Sequence, residues 1–214
     1  MNPDTEGIAC CFDERSQRHL DDFRQNGLSD TATEIRSALR NRGIAGKTIL
    51  ELGCGVGGFT LTLLKDGATS ARGIDLSPRM VEAARSLAAE EGLSGSVSFE
   101  VGDGAKTHLD RADLVVLDAV ICCYPDFSGL VQNSSFAARL YYAVSMPDDN
   151  RIATRLLRLV LPLQGIIFRR DSFRFFIHSK KQVVAQLEKD GFKLLSEIAV
   201  GWVWSVLMFA APSN

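Results

Sequence analysis

The stretch from Thr48 to Thr60 constrains this chain most. Thr48-Ile49-Leu50-Glu51-Leu52 is a short run of apolar and strand-forming residues. Four glycines follow within six positions, at Gly53, Gly55, Gly57 and Gly58. Beyond them Phe59, Leu61, Leu63 and Leu64 are apolar without strand alternation, which predicts a helix. Strand, glycine loop and helix start together form a nucleotide cradle. Glycines let the backbone approach a ligand, and the free N–H groups of the helix start face it. Gly53, Gly55 and Gly58 also satisfy G-x-G-x-x-G, a pattern shared with dinucleotide-binding folds, so a nicotinamide-dependent oxidoreductase stays open at this point.

Two acids lie in phase with that loop. Asp75 closes the next apolar run, Ala71 to Asp75, roughly 20 residues on, where nucleotide folds carry the acid that accepts ribose hydroxyls. Asp103 sits between Gly102 and Gly104, after the alternating Val97-Ser98-Phe99-Glu100-Val101. Leu114 to Leu117 is continuously apolar, as a central parallel strand buried on both faces requires, and it ends at Asp118. Leu140 to Val144 predicts a fifth strand. Ser77-Pro78 is a capping serine with proline at the first helical position, opening a helix whose buried face is Met80, Val81, Ala84, Leu87 and Ala88. Helices are also expected over 150–161 and 181–189. Strands over 192–200 and 202–209, flanking Gly201, are too close for a crossover and predict a hairpin. Alternating strands and helices imply an α/β, Rossmann-like, doubly wound seven-stranded sheet with a C-terminal antiparallel hairpin.

Residues 1–12 show no clear period and read as mobile, and 13–42 read as helices. The expected organisation is an N-terminal helical segment or lid over 1–42 and a cofactor-binding domain over 43–214. At 214 residues, 46% hydrophobic, 23% charged and net charge −2, the chain has the composition of a globular domain with no global attraction to nucleic acid. No apolar run approaches the roughly 20 residues of a membrane span. The acidic start lacks the basic and apolar regions of a signal peptide, and the five cysteines do not form a disulfide framework. A reduced, cytoplasmic protein is the expectation.

With Glu51 two residues ahead of its first glycine, the loop Glu51-Leu52-Gly53-Cys54-Gly55-Val56-Gly57 resembles the (D/E)-x-G-x-G-x-G loop of class I S-adenosylmethionine-dependent methyltransferases. The resemblance implies S-adenosylmethionine as cofactor, held by Glu51, Gly53, Cys54, Gly55, Gly57, Asp75, Leu76, Asp103, Gly104 and Asp118. Asp75 would take the ribose hydroxyls, Asp103 the adenine amine, and Asp118 would stand at the methyl-transfer site. It also implies a reversed last strand. A non-catalytic cofactor-binding partner subunit is a further alternative.

Asp118 to Asp126 contains Cys122-Cys123-Tyr124-Pro125. It is similar to a turn of magnesium-protoporphyrin O-methyltransferases, as is Phe175-Phe176-Ile177-His178. The Cys-Cys-Tyr-Pro-Asp form and the N-terminal Cys10-Cys11 are closer to bacterial methyltransferase-domain proteins of unassigned substrate. Candidate catalytic residues are Asp118, Tyr124 lining the acceptor pocket, and His178 as a general base or as a ring bonded to backbone. His19 and His108 read as surface residues. Arg151, Arg155 and Arg158 recur at helical spacing. They read first as a solvated face, then as a site for an anionic group on a small-molecule acceptor, and last as a peripheral membrane contact. The cysteine pairs would meet only if the N-terminus folds back. Buried, unreactive thiols and no metal site are expected.

Overall fold

In the computed structural model, which describes residues 3–160 and 174–212, seven strands form one sheet in the order β3-β2-β1-β4-β5-β7-β6. They are β1 (Thr48–Leu52), β2 (Ser70–Asp75), β3 (Val97–Val101), β4 (Ala112–Leu117), β5 (Ala138–Pro147), β6 (Lys193–Val200) and β7 (Trp204–Ala210). β1 to β5 are parallel, and β7 runs antiparallel between β5 and β6. The helices are α1 (Pro3–Asn26), α2 (Asp30–Arg40), α3 (Gly58–Lys65), α4 (Pro78–Glu90), α5 (Phe127–Ala137), α6 (Ile152–Val160) and α7 (Lys180–Lys189). The expected doubly wound sheet with its terminal hairpin is therefore present.

The pleat of the two central strands sorts the core. Val115 and Leu117 enter one apolar cluster with Leu50 and Leu52, while Leu114 and Val116 enter the other with Ile49. Because side chains alternate between faces along a strand, the continuous run of β4 feeds both layers at once. The same alternation puts Glu51 on the face of Ile49, toward α3. Ser77 caps α4 as expected, its hydroxyl accepting from the Met80 N–H at 3.0 Å.

Three segments depart from the sequence reading. Helix α1 begins at Pro3, so most of 1–12 is helical, with Ile8, Ala9 and Cys11 buried. Its apolar stripe is too sparse to read alone and is completed by the domain beneath. Helix α5 had no sequence signal either, since Gly129, Asn133, Ser134 and Ser135 dilute the period. Asp126 starts it by accepting from the Ser128 N–H at 2.9 Å, and the buried Ser134 hydroxyl bonds the Tyr142 hydroxyl at 2.9 Å. The fifth strand is longer than Leu140 to Val144, because β7 pairs with it as far as Pro147.

Helix α1 runs alongside α4. The Asp13 carboxylate accepts the Ser77 hydroxyl and, at 3.0 Å, the Arg79 N–H, and Arg24 pairs with Glu90 at 2.6 Å. Phe23 lies against Gly58, where an added Cβ would meet its ring at 2.5 Å. The first helix is thereby laid across the carboxyl edge of the sheet.

Candidate active site

A cavity of about 290 Å³ opens between α1 and the carboxyl ends of β1, β2 and β4. Strand order reverses between β1 and β4, and open α/β sheets bind ligands at that crevice. Gly53, Gly55, Asp75, Leu76, Gly104, Asp118 and Tyr124 all line it. A larger depression of about 690 Å³, lined by Arg111, Asn133, Phe136 and Phe192, lies near the amino ends of β4 and β5. No strand-end acid or glycine loop faces that depression, so size does not select the site.

The glycine loop is shaped by backbone geometry. Gly53 has φ +67°, and a Cβ there would strike Val120 at 2.4 Å. Gly55, at φ +53°, faces open space, which leaves its backbone available to a ligand. Its N–H donates to Asp75 Oδ2 at 2.9 Å, while the Ser77 N–H donates to Oδ1 at 2.9 Å. One carboxylate thus ties the loop after β1 to the turn after β2. Burial raises the Asp75 pKa, opposed by those backbone donors.

Glu51, Cys54 and Gly57 stand under the loop rather than on the cavity wall. Gly57 packs on Phe99 and Ala84, and burial pushes the Cys54 thiol up. Glu51 is 3% exposed and accepts a hydrogen bond from the Thr60 hydroxyl of α3. Burial, with the nearby Asp118 and Asp75 charges, raises its pKa to about 8. The folded state therefore holds a proton that the unfolded chain releases near its ordinary value. Above that value, stability falls as pH rises, and the fall ends near pH 8. Glu51→Gln should flatten this slope by on the order of a few kcal/mol between pH 5 and 8. Thermal melts of both proteins across that range would check it, and parallel curves would refute the buried neutral acid.

The Asp103 carboxylate accepts the Ala105 N–H at 3.0 Å and the Tyr124 hydroxyl at 3.2 Å. Burial, then the Asp103 charge, holds the Tyr124 phenol well above its usual range, so it stays a donor. Asp118 is fixed from two sides. Ser145 of β5 donates to Oδ1 at 2.5 Å, and Ser29, the cap of α2, donates to Oδ2 at 3.3 Å. The next residue, Ala119, has φ +57°, a conformation that non-glycine residues rarely adopt. Its N–H donates to Ser145 Oγ at 2.7 Å, and the thiols of Cys122 and Cys123 donate to its carbonyl at 3.3 and 3.6 Å. Ser145 and the cysteine pair hold this strained corner in place.

His178 is not brought to the cavity wall. Its Nε2 lies 2.8 Å from the Tyr124 carbonyl oxygen, and its ring lies between Phe127 and Phe176. The Phe176 N–H donates to the Cys122 carbonyl at 2.7 Å, so the stretch from Phe175 to His178 docks on the turn that follows Asp118. His19 is exposed, as expected of a surface residue, and also borders the cavity, together with Ile8 and Phe12 of α1. Burial and Arg15 lower its pKa, which favours neutral imidazole. Only the path of α1 reveals His19, and only the β4–β5 register reveals Ser145. His108 is exposed as expected.

Cys11, Cys54, Cys122 and Cys123 are buried and Cys10 is exposed, all of them free thiols. Among the described residues no group of three or more His, Cys, Asp or Glu could hold a metal ion. The arginine run is largely engaged. Arg151 donates to the Gly201 carbonyl at 2.5 Å and pairs with Asp148 at 3.5 Å, and Arg158 donates to the Ile177 carbonyl at 3.0 Å. Arg169 and Arg170 lie outside the described residues.

A seven-stranded sheet in this order, with a reversed β7 and a glycine loop facing paired strand-end acids, defines the fold of the class I methyltransferases. Residues 49–142 match the family model described as a methyltransferase domain. The magnesium protoporphyrin IX methyltransferase of Synechocystis with bound S-adenosylmethionine superposes with TM-score 0.74 at 17% identity, over 97% of this chain and 96% of that one. An S-adenosylmethionine-dependent methyltransferase from Mesorhizobium loti superposes with TM-score 0.66 at 18% identity, over 81% and 96%. Among curated proteins, ajmaline N-methyltransferase of Rauvolfia serpentina is 44% identical over 57 residues, 27% of this chain and 20% of its own length. Ribosomal protein L11 methyltransferase of Edwardsiella ictaluri is 34% identical over 105 residues, 44% of this chain and 36% of its own. The chain thus spans well under half the length of these curated relatives.

Proposed function

We propose that the protein transfers a methyl group from S-adenosylmethionine to a small-molecule acceptor. The observation that carries this reading is the convergence of Gly53, Gly55, Asp75, Gly104, Asp118 and Tyr124 on one cavity at the strand-order reversal. The wall suits the cofactor: open space above Gly55 admits a ligand against the backbone, and Asp75 presents a carboxylate to ribose hydroxyls. Asp103, steadied by Tyr124, would accept from the adenine amine, with Gly104 leaving room for the ring. Glu51 would support the loop from below.

When bound, the sulfonium supplies an electrophilic methyl group whose thioether leaves in an in-line displacement, a reaction that gains chiefly from alignment. Asp118, held by Ser145 and Ser29, would stand at the reacting end and accept a proton where the acceptor must lose one. His178, through the Tyr124 carbonyl, would position the Tyr124 turn. At about 290 Å³ the cavity is at the lower end for ligand sites, roughly 300–1,000 Å³, which suits one ligand with the acceptor reaching it from the mouth. Helices α1 and α2 would then act as a lid, latched by Asp13 on the turn at Ser77.

The strand order argues against the nicotinamide alternative, since dinucleotide folds of this type run 3-2-1-4-5-6 without a reversed strand inserted before the last. The net charge of −2 favours a small acceptor over nucleic acid. Five free thiols favour a reducing, cytoplasmic setting. No helix among the described residues is long and apolar enough to cross a membrane.

Calorimetry with S-adenosylhomocysteine tests the reading. Binding to the folded protein is the expected result, and its absence would reject the cofactor assignment. Binding without label transfer from radiolabelled cofactor to any cell metabolite would favour the non-catalytic partner subunit.

A further inference from the structure

We propose that α6 and the β6–β7 turn form a docking surface for an anionic lipid bilayer. Ile152, Leu156 and Leu159, spaced i, i+4 and i+7, share one face of α6 and are 77%, 60% and 73% exposed. Trp202, in the turn between β6 and β7, is 85% exposed. The turn is fixed to the helix. Arg151 at the start of α6 donates to the Gly201 carbonyl at 2.5 Å, and the Asp148 N–H donates to the Val203 carbonyl at 2.7 Å. Scattered exposed apolar residues mean little, but a tryptophan and three large aliphatic side chains on two joined elements make a patch.

The charges around the patch select the partner. Arg155 lies on the same face of α6, is exposed, and makes no ion pair among the described residues, while Arg151 and Arg158 flank it. The nearby acids are engaged: Asp148 and Glu197 pair with Lys180, and Asp149 accepts the Lys180 N–H at 3.0 Å. An apolar ridge bearing tryptophan and edged by arginine is the composition that lies in the headgroup boundary of an anionic membrane. β5, β6 and the α6 turn end on the carboxyl edge of the sheet, where the cavity also opens. A docked molecule therefore turns its cavity edge toward the bilayer. The surface stands whether or not the methyl-transfer reading holds.

Co-sedimentation of the full chain with vesicles tests this. Binding is expected to vesicles of equal phosphatidylglycerol and phosphatidylcholine, and to be weaker by roughly tenfold or more on phosphatidylcholine alone. Leu156→Glu with Leu159→Glu should reduce binding by a similar factor, and Trp202→Ala by severalfold, with thermal melts reporting that each variant is folded. No sedimentation with the anionic vesicles would overturn the proposal, as would binding that survives the double substitution. A concentration-dependent dimer by light scattering, lost in the double variant without any vesicle binding, would assign the patch to a second copy instead.

Discussion

Asp75→Ala is expected to weaken S-adenosylhomocysteine binding by about 100- to 10,000-fold. A carboxylate that accepts two hydroxyls makes two hydrogen bonds to a charged group, each contributing roughly 1.5–3 kcal/mol, and every 1.4 kcal/mol is tenfold in affinity. The substitution also leaves the N–H groups of Gly55 and Ser77 without their 2.9 Å acceptors, loosening the loop that receives the ligand. Asp75→Asn separates the two effects, because its carbonyl still accepts one backbone N–H while the charge is gone. Calorimetry on the three proteins is the measurement. An alanine variant binding within threefold of the parent would remove Asp75 from the cofactor site.

Gly57→Val should have the largest effect on stability, a loss of about 2–5 kcal/mol. Gly57 has φ +77°, and a side chain held there costs roughly 1–2 kcal/mol. Its Cβ would also meet Phe99 at 2.7 Å and Ala84 at 2.9 Å, both buried, and overpacking of this kind costs roughly 1–3 kcal/mol. For a chain of this size that lowers Tm by about 4–20 °C. Gly92→Ala is the control, since Gly92 has φ +70° but nothing within 4 Å of an added Cβ. It should show the conformational part alone. Equal losses in the two variants would mean that packing under the glycine loop contributes nothing.

Much of the fold was legible in local signals. The apolar run Leu114 to Leu117, the Ser77-Pro78 helix start and Gly201 between two strand-like runs each match a period or a cap that needs no distant partner. Helix α5 was not legible, because its buried serines are satisfied by backbone and by Tyr142 rather than by an apolar period. Nor was the helicity of residues 3–12, whose few apolar side chains gain a buried face only against the domain core.

The site divides the same way. Gly53, Gly55, Asp75 and Asp118 stand at strand ends, and a strand end is a position that sequence periodicity marks, so the sequence alone identified one wall of the cavity; Asp103, also at a strand end, lies behind it. The opposite wall belongs to α1, and the clamp on Asp118 comes from Ser145 and Ser29, 27 and 89 residues away along the chain. Such contacts depend on which strand pairs with β4 and on where a helix lies over the sheet edge. His19 reaches the cavity for that reason, while His178, beside the motif that made it a candidate, is turned to the Tyr124 carbonyl. Local chemistry marked the glycine loop and the strand-end acids that stand in phase with it. Only tertiary packing decided which side chains close over it, because long-range register carries no signal in the local pattern of residues.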